Sequence, residues 1–194
     1  GTHLPDVTVI TPVFADNGKD LIFMVASRGH HADIGGKTPG STPPDSTHID
    51  EEGIVIDSFK LVDQGGFREQ ATRELLGSGR YPCRNIDQNI ADLSAQVAAN
   101  ATGVREVHRM VQQFGLAVVQ AYMQHVQDNA EASVRRVLGV LKDSSFVYEL
   151  DNGAQIQVAI RINQAEQAAE IDFTGTSMQD SGNYNAPLAV CLSV

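Results

Sequence analysis

Two β-branched runs flank an Asp16-Asn17-Gly18 turn signal, and this arrangement constrains the chain more than any other feature. Residues 7–14 (Val-Thr-Val-Ile-Thr-Pro-Val-Phe) and 21–26 (Leu-Ile-Phe-Met-Val-Ala) both read as strands. Folded back across residues 15–20, they form a hairpin whose first-strand start and second-strand end share one end of the ladder. His3 and Asp6, separated by the backbone-fixing Pro5, precede the first strand. Arg28, His30, His31 and Asp33 follow the second. The topology predicts that these two groups face each other. Neutral imidazole and carboxylate are donors for divalent metals, so the hairpin end is a candidate metal site. Adjacent His30 and His31 point to opposite faces of an extended backbone. One is expected to ligate and the other to serve substrate or a supporting contact; the sequence leaves open which.

The second strand opens into a Gly/Pro loop that runs to Pro44. Gly36-Lys37-Thr38 resembles part of a phosphate loop, but the full pattern requires glycine where His31 stands. Pro39, Pro43 and Pro44 also forbid the helix that must follow. The amides of Gly35 and Gly36 remain candidates for holding an oxyanion of the substrate. Glu51 and Glu52 read as a solvated acidic pair or as a base or ligand. Ser27 lacks the Gly-x-Ser-x-Gly context of a hydrolase nucleophile. Cys83 has only Arg84 beside it and reads as a bystander rather than a catalytic thiol.

Beyond the loop, residues 54–61 are a strand candidate and 67–76 a helix. From residue 86 to 141 the pattern turns to long amphipathic helices, with breaks expected at Gly103 and Gly115. Short strands return at 146–150, 156–163 and 169–173, the first two joined by an Asp151-Asn152-Gly153 turn signal. Asp172 and Thr174 then enter another Gly-bearing loop, either lining a site or capping a turn. His108 and His125 lie on helices without donors at metal spacing. The layout is α+β: strands and Gly/Pro loops at both ends with a long-helix middle. The regions are 1–62 for the site, 86–141 for the helices and 146–194 for the later strands.

A formal net charge of −10 argues against nucleic-acid binding, which needs clustered Lys and Arg. No apolar run is long enough to cross a bilayer. Two cysteines are too few for a disulfide framework and suit a reducing, cytoplasmic setting. The chain starts with Gly inside a motif and ends in the apolar run Ala189-Val-Cys-Leu-Ser-Val194, so it is expected to be a fragment of a larger domain. The alternative is that this run forms the last strand of a free-standing domain.

Several segments carry a resemblance. They are Gly1-Thr-His-Leu-Pro-Asp6, Ala26-Ser-Arg-Gly-His-His-Ala-Asp-Ile-Gly-Gly36, Pro39-Gly-Ser-Thr-Pro-Pro44, Glu51-Glu-Gly53, Asp92-Leu-Ser-Ala-Gln-Val-Ala-Ala-Asn100, Asp172-Phe-Thr-Gly-Thr-Ser177 and Gly182-Asn-Tyr-Asn-Ala-Pro187. In this order they resemble the hydantoinase B/5-oxoprolinase family, and the likeness covers essentially the whole chain. Phe59-Lys-Leu-Val62, Asp87-Gln-Asn89 and Gln120-Ala-Tyr-Met123 look nearest its ATP-dependent 5-oxoprolinase branch. The resemblance implies the hydrolytic half of an enzyme that opens 5-oxo-L-proline to L-glutamate. A hydantoinase A-type ATPase domain or subunit would use ATP to activate the lactam, within a homo-oligomer of the full-length enzyme. It also implies a divalent metal at His3, Asp6 and one of His30 or His31, taken as His31. Arg28, His30 and Asp33 would be catalytic, with Asp33 orienting a histidine or acting as a base. Arg28 would hold the substrate carboxylate, unless it is a surface arginine, and Gly35, Gly36, Asp172 and Thr174 would contact substrate. Alternatives are an N-methylhydantoinase, a subunit of the acetone or acetophenone carboxylase type, or a subunit-docking fragment built on the helices.

Overall fold

The computed structural model describes residues 3–193. Gly1 and Thr2 of the first motif and the final Val194 lie outside the described residues. The chain divides into two compact units, one formed by Gly1–His108 with Asp180–Val194 and the other by Arg109–Gln179.

The first unit is built on the predicted hairpin. Strands β1 (Asp6–Phe14) and β2 (Leu21–His30) pair antiparallel, with Asp6 opposite His30 and an irregularity between Val13 and Phe14. The turn forms because the Asn17 carboxamide oxygen accepts from the amides of Lys19 and Asp20, while Gly18 takes φ +65°. Residues 54–61, expected as a strand, are instead irregular. Their polar Asp57, Ser58 and Lys60 break the alternation, and Ser58 sits at φ +48°. Only a small ladder follows, β3 (Val62–Asp63) with β4 (Gly66–Phe67). Helix α1 (Glu69–Leu76) then leads to α2 (Ile86–Phe114).

Gly103 does not break α2. A Cβ there would lie 2.8 Å from Val25 Cγ1, so glycine is what lets the helix approach the hairpin. The true break is Gly115, at φ +84°. The core gathers Val7 of β1, Ile34 of the loop, Ile54 of the irregular stretch after it, Leu76 of α1, Cys83, and Ile90 and Leu93 of α2. Beside this apolar stripe α2 turns a second, polar row inward: Asn89, Gln96 and Asn100, all buried. Asn100 Nδ2 donates to Val9 O and to Thr11 Oγ1, both at 3.0 Å. The helix is thus bonded to the hairpin as well as packed on it.

The Gly/Pro loop is stapled by Asp33. Its carboxylate accepts from the amides of Gly35 (3.0 Å), Gly40 (3.1 Å) and Arg84 (3.1 Å), and from Arg84 Nη1 at 2.7 Å. Arg84 Nη2 also donates to Gly36 O at 2.6 Å. Burial pushes the Asp33 carboxyl up, but these hydrogen bonds outweigh it and hold it below its ordinary 3.8. Ser41 closes the same turn, accepting from Ile34 N and donating to Gly35 O. Asn183, from the C-terminal segment, donates to Pro43 O and Ser46 Oγ. The run after Pro187 is a short helix, Leu188–Ser193, not the last strand considered as an alternative.

The second unit contains the end of α2, helix α3 (Leu116–Leu138) and a three-stranded antiparallel sheet of β5 (Ser144–Glu149), β6 (Gln155–Asn163) and β7 (Ala168–Asp172), in the order β5-β6-β7. The three strands fall within about two residues of their sequence expectations, and α3 ends three residues before the expected 141. Asp172 Oδ1 accepts from Thr174 N at 2.9 Å, and Arg161 lies 3.6 Å from its other oxygen. The apolar stripe of α3, including Val118, Tyr122, Val126, Val134 and Val137, is exposed. The helical secondary structure agrees with the amphipathic reading, and its apolar face stands exposed.

Two outcomes follow from this packing. Leu76→Ala empties a fully buried position and is expected to destabilise the chain by about 2–5 kcal/mol in denaturant titration. Because the folded Asp33 ionises below 3.8, its stabilising contribution is present above that value and lost as pH falls through the depressed folded value. Asp33→Asn is therefore expected to lower the melting temperature at neutral pH, with the gap from wild type narrowing in acid.

Candidate functional site

The register that pairs Asp6 with His30 brings a cluster to the hairpin end. His30 Nδ1 donates to Asp6 Oδ1 at 2.9 Å, and the rings of His3 and His30 lie 5.2 Å apart at their centroids. His3 Nε2 is 3.4 Å from Thr42 Oγ1 of the Gly/Pro loop. Arg28 donates from Nε to Thr8 Oγ1 at 3.2 Å and places Nη1 3.8 Å from Asp6 Oδ2. The His30 hydrogen bond is the main reason that the Asp6 carboxyl is held below its ordinary value. Burial works against it, and the charges of His30, Arg28 and His3 add to it. Asp6 therefore stays ionised and orients His30, leaving His30 Nε2 directed away from that bond.

His31 lies elsewhere. Extended backbone sends its ring to the opposite face from His30, and only 1 % of it is exposed. Its Nε2 meets Gln96 Oε1 at 3.1 Å and its Nδ1 meets Asn89 Nδ2 at 3.0 Å. With both ring nitrogens engaged by amides, His31 does not join His3 and Asp6 as expected; His30 does. Asp33 is likewise drawn away, into the loop staple, so it is neither a histidine-orienting group nor a carboxyl of raised pKa.

The glycine amides are also engaged. Gly35 N donates to Asp33 and Gly36 N donates to Tyr81 O at 3.0 Å. A Cβ on Gly35 would stand 2.3 Å from Tyr81 O, so this glycine serves close backbone packing rather than an open oxyanion cradle. Asp172 and Thr174 make a local turn in the second unit, as the capping alternative expected. Glu51 accepts from Thr47 N and faces Lys37 at 3.5 Å, while Glu52 accepts from Ser46 Oγ. Both are loop braces. Burial, with the Asp33 charge adding, pushes the Cys83 thiol up to about 11, consistent with a bystander.

Thr42, Arg84, Asn89 and Gln96 are site or support residues that the sequence reading passed over. A detectable signal existed for two of them. Asn89 and Gln96 are seven apart on an amphipathic helix and fall beside its apolar stripe, where a polar side chain needs a partner. Two imidazoles and a carboxylate are the donor types a divalent cation takes. Among the described residues, however, no group of three or more His, Cys, Asp or Glu is arranged to hold an ion. Asp6 is committed through Oδ1 to His30. No described helix is long and apolar enough to cross a membrane.

The comparisons with known proteins agree with one another. The chain is 43 % identical over its full length to a 5-oxoprolinase of Dictyostelium discoideum, spanning 16 % of that protein. It is 44 % identical over 98 % of its length to 5-oxoprolinase 1 of Arabidopsis thaliana, spanning 17 % of it. The crystal structure of an ATP-dependent caprolactamase from Pseudomonas jessenii superposes with a TM-score of 0.69 at 28 % identity, covering 88 % of this chain and 30 % of that one. The chain thus spans about one sixth of the curated relatives it matches. Hydantoinase B/oxoprolinase is matched over residues 1–194, and the chain belongs to that family.

Proposed function

We propose that this chain is part of a 5-oxoprolinase-type enzyme and supplies residues for hydrolysis of an activated cyclic amide, 5-oxo-L-proline being opened to L-glutamate. The observation that carries this reading is the Asp6–His30–His3 cluster with Arg28 beside it, in a chain 43 % identical to a 5-oxoprolinase. Asp6 holds His30 by Nδ1, the arrangement in which a carboxylate orients a general base. His30 Nε2 takes the proton of the water that attacks the amide carbon and returns a proton to the departing ring nitrogen. Where the amide oxygen carries phosphate from ATP, the acyl phosphate so formed releases its phosphate to a second water, leaving the carboxylate. Arg28, its side chain 59 % exposed, would turn the guanidinium it directs at Thr8 and Asp6 to the substrate carboxylate. ATP is used by a hydantoinase A-type domain or subunit.

A divalent cation at His3, Asp6 and His30 belongs to the same proposal, since the donor types suit one. Bound there, it would polarise the amide oxygen or activate water. As the side chains stand they form no coordination shell, so the roles of His30 and Arg28 are derived without it. A second reading, a docking fragment, is favoured by the exposed stripe of α3. It concerns the other unit and is compatible with the first.

In the full-length enzyme, His30→Ala is expected to lower 5-oxoproline-dependent ATP hydrolysis and glutamate release by about 10²–10⁴-fold, the range for loss of a general acid–base group. Undiminished turnover would overturn the reading. Metal analysis of wild type against His3→Ala tests the cation: equal metal content in both would remove His3 from its ligands.

A further inference from the structure

The motif from Asp92 to Asn100 has no place in the chemistry above, yet α2 directs its Gln96, with Asn89 one turn-pair earlier, at the buried side of the hairpin end. We infer that Asn89, Gln96 and His31 form a positioning relay that sets the geometry of the reactive histidines, the buried ring of His31 acting as the peg through which α2 holds His30, Asp6 and His3 in register. The inference rests on the reading of the hairpin end as the reactive site and assigns its support.

The relay follows from donor and acceptor identities. Gln96 Nε2 donates to Val7 O of β1 at 2.9 Å and to Ser27 O of β2 at 3.1 Å, so one carboxamide bridges both strands. With its amino group so placed, its oxygen must face His31 Nε2, which therefore carries the proton. Asn89 Nδ2 donates to Asp33 O at 2.9 Å and to His31 Nδ1 at 3.0 Å, so Nδ1 is the acceptor. The two amides agree on a single tautomer, and the ring can neither flip nor turn without losing a bond.

That orientation reaches the surface through the backbone. His31 N donates to Pro5 O at 2.9 Å, and the same carbonyl accepts from Val7 N at 2.9 Å. Pro5 lies between His3 and Asp6, and His31 is bonded directly to His30. One buried residue thus fixes both halves of the cluster. Gly29 completes the device: a Cβ there would stand 3.0 Å from the Gln96 carboxamide carbon, so glycine is what admits the amide between the strands.

The test uses the full-length enzyme with His31→Leu, which removes both ring bonds, and His31→Gln, whose amide can again donate toward Gln96. Expected for His31→Leu is a 10–100-fold fall in kcat, the range for loss of a supporting shell, with KM for ATP unchanged and at least partial recovery in His31→Gln. Full activity in a folded His31→Leu, alongside an inactive His30→Ala, would overturn the relay and leave the proposed function standing. If His30→Ala itself is fully active, the proposed function fails and the relay is judged by a crystal structure of His31→Gln and Gln96→Leu. The relay predicts that the Asp6–His30 contact survives in the former and is lost in the latter. An unchanged contact in Gln96→Leu overturns it, as does loss of turnover in His31→Gln equal to that in His31→Leu.

Discussion

The carboxamide of Gln96 is where the first unit is held together. It reaches from α2 between two strands, bonds a carbonyl on each, and receives the ring of His31 on its remaining atom. A buried amide with its donors and acceptor all satisfied is directional in a way that apolar packing is not. Apolar contacts from Ile90 and Leu93 supply the bulk of the attraction between α2 and the core. Gln96, with Asn89 and Asn100, determines the register at which the helix settles.

From that register the rest of the site follows. The hairpin ladder sets Asp6 opposite His30, and the alternation of an extended strand then sorts the histidine doublet into an exposed member and a buried one. The exposed ring is oriented by a carboxylate, while the buried ring is oriented by amides. Asp33, next in the chain, turns away to gather amides of its own loop and the Arg84 guanidinium. Four ionisable side chains within the stretch from Arg28 to Asp33 thus fall in three environments: Arg28 and His30 at the surface, His31 buried, Asp33 in a staple.

The two units differ in how far they bury themselves. The first has a continuous apolar core, whereas α3 has no fully buried residue. A helix of 23 residues with an exposed apolar stripe is not self-sufficient in water. The curated relatives are about six times longer than the segment that this chain matches.

Where the expectations failed, the failures share a cause. Residues 54–61 carried enough apolar character to suggest a strand, but Asp57, Ser58 and Lys60 break the alternation and no ladder forms there among the described residues. Gly103 suggested a helix break because a lone glycine is a local signal, yet it is there to let Val25 approach. His31 and Asp33 looked interchangeable with His30 and Asp6 because residue type does not reveal which partners arrive from far along the chain.

The amino-acid order alone determined the hairpin, its turn, the convergence of His3 and Asp6 with one member of the histidine doublet, and the helical and strand segments of the second unit. These depend on periodicity and turn chemistry acting over a few residues, or on the simple return of a two-stranded ladder. Only the tertiary structure decided which histidine faces outward with its carboxylate and which is pegged under α2. It also decided that Asp33 belongs to a loop staple. The bonds responsible join His31 to Gln96 across 65 positions and Asp33 to Arg84 across 51. No local pattern encodes the angle at which a helix lays its amides across two strands.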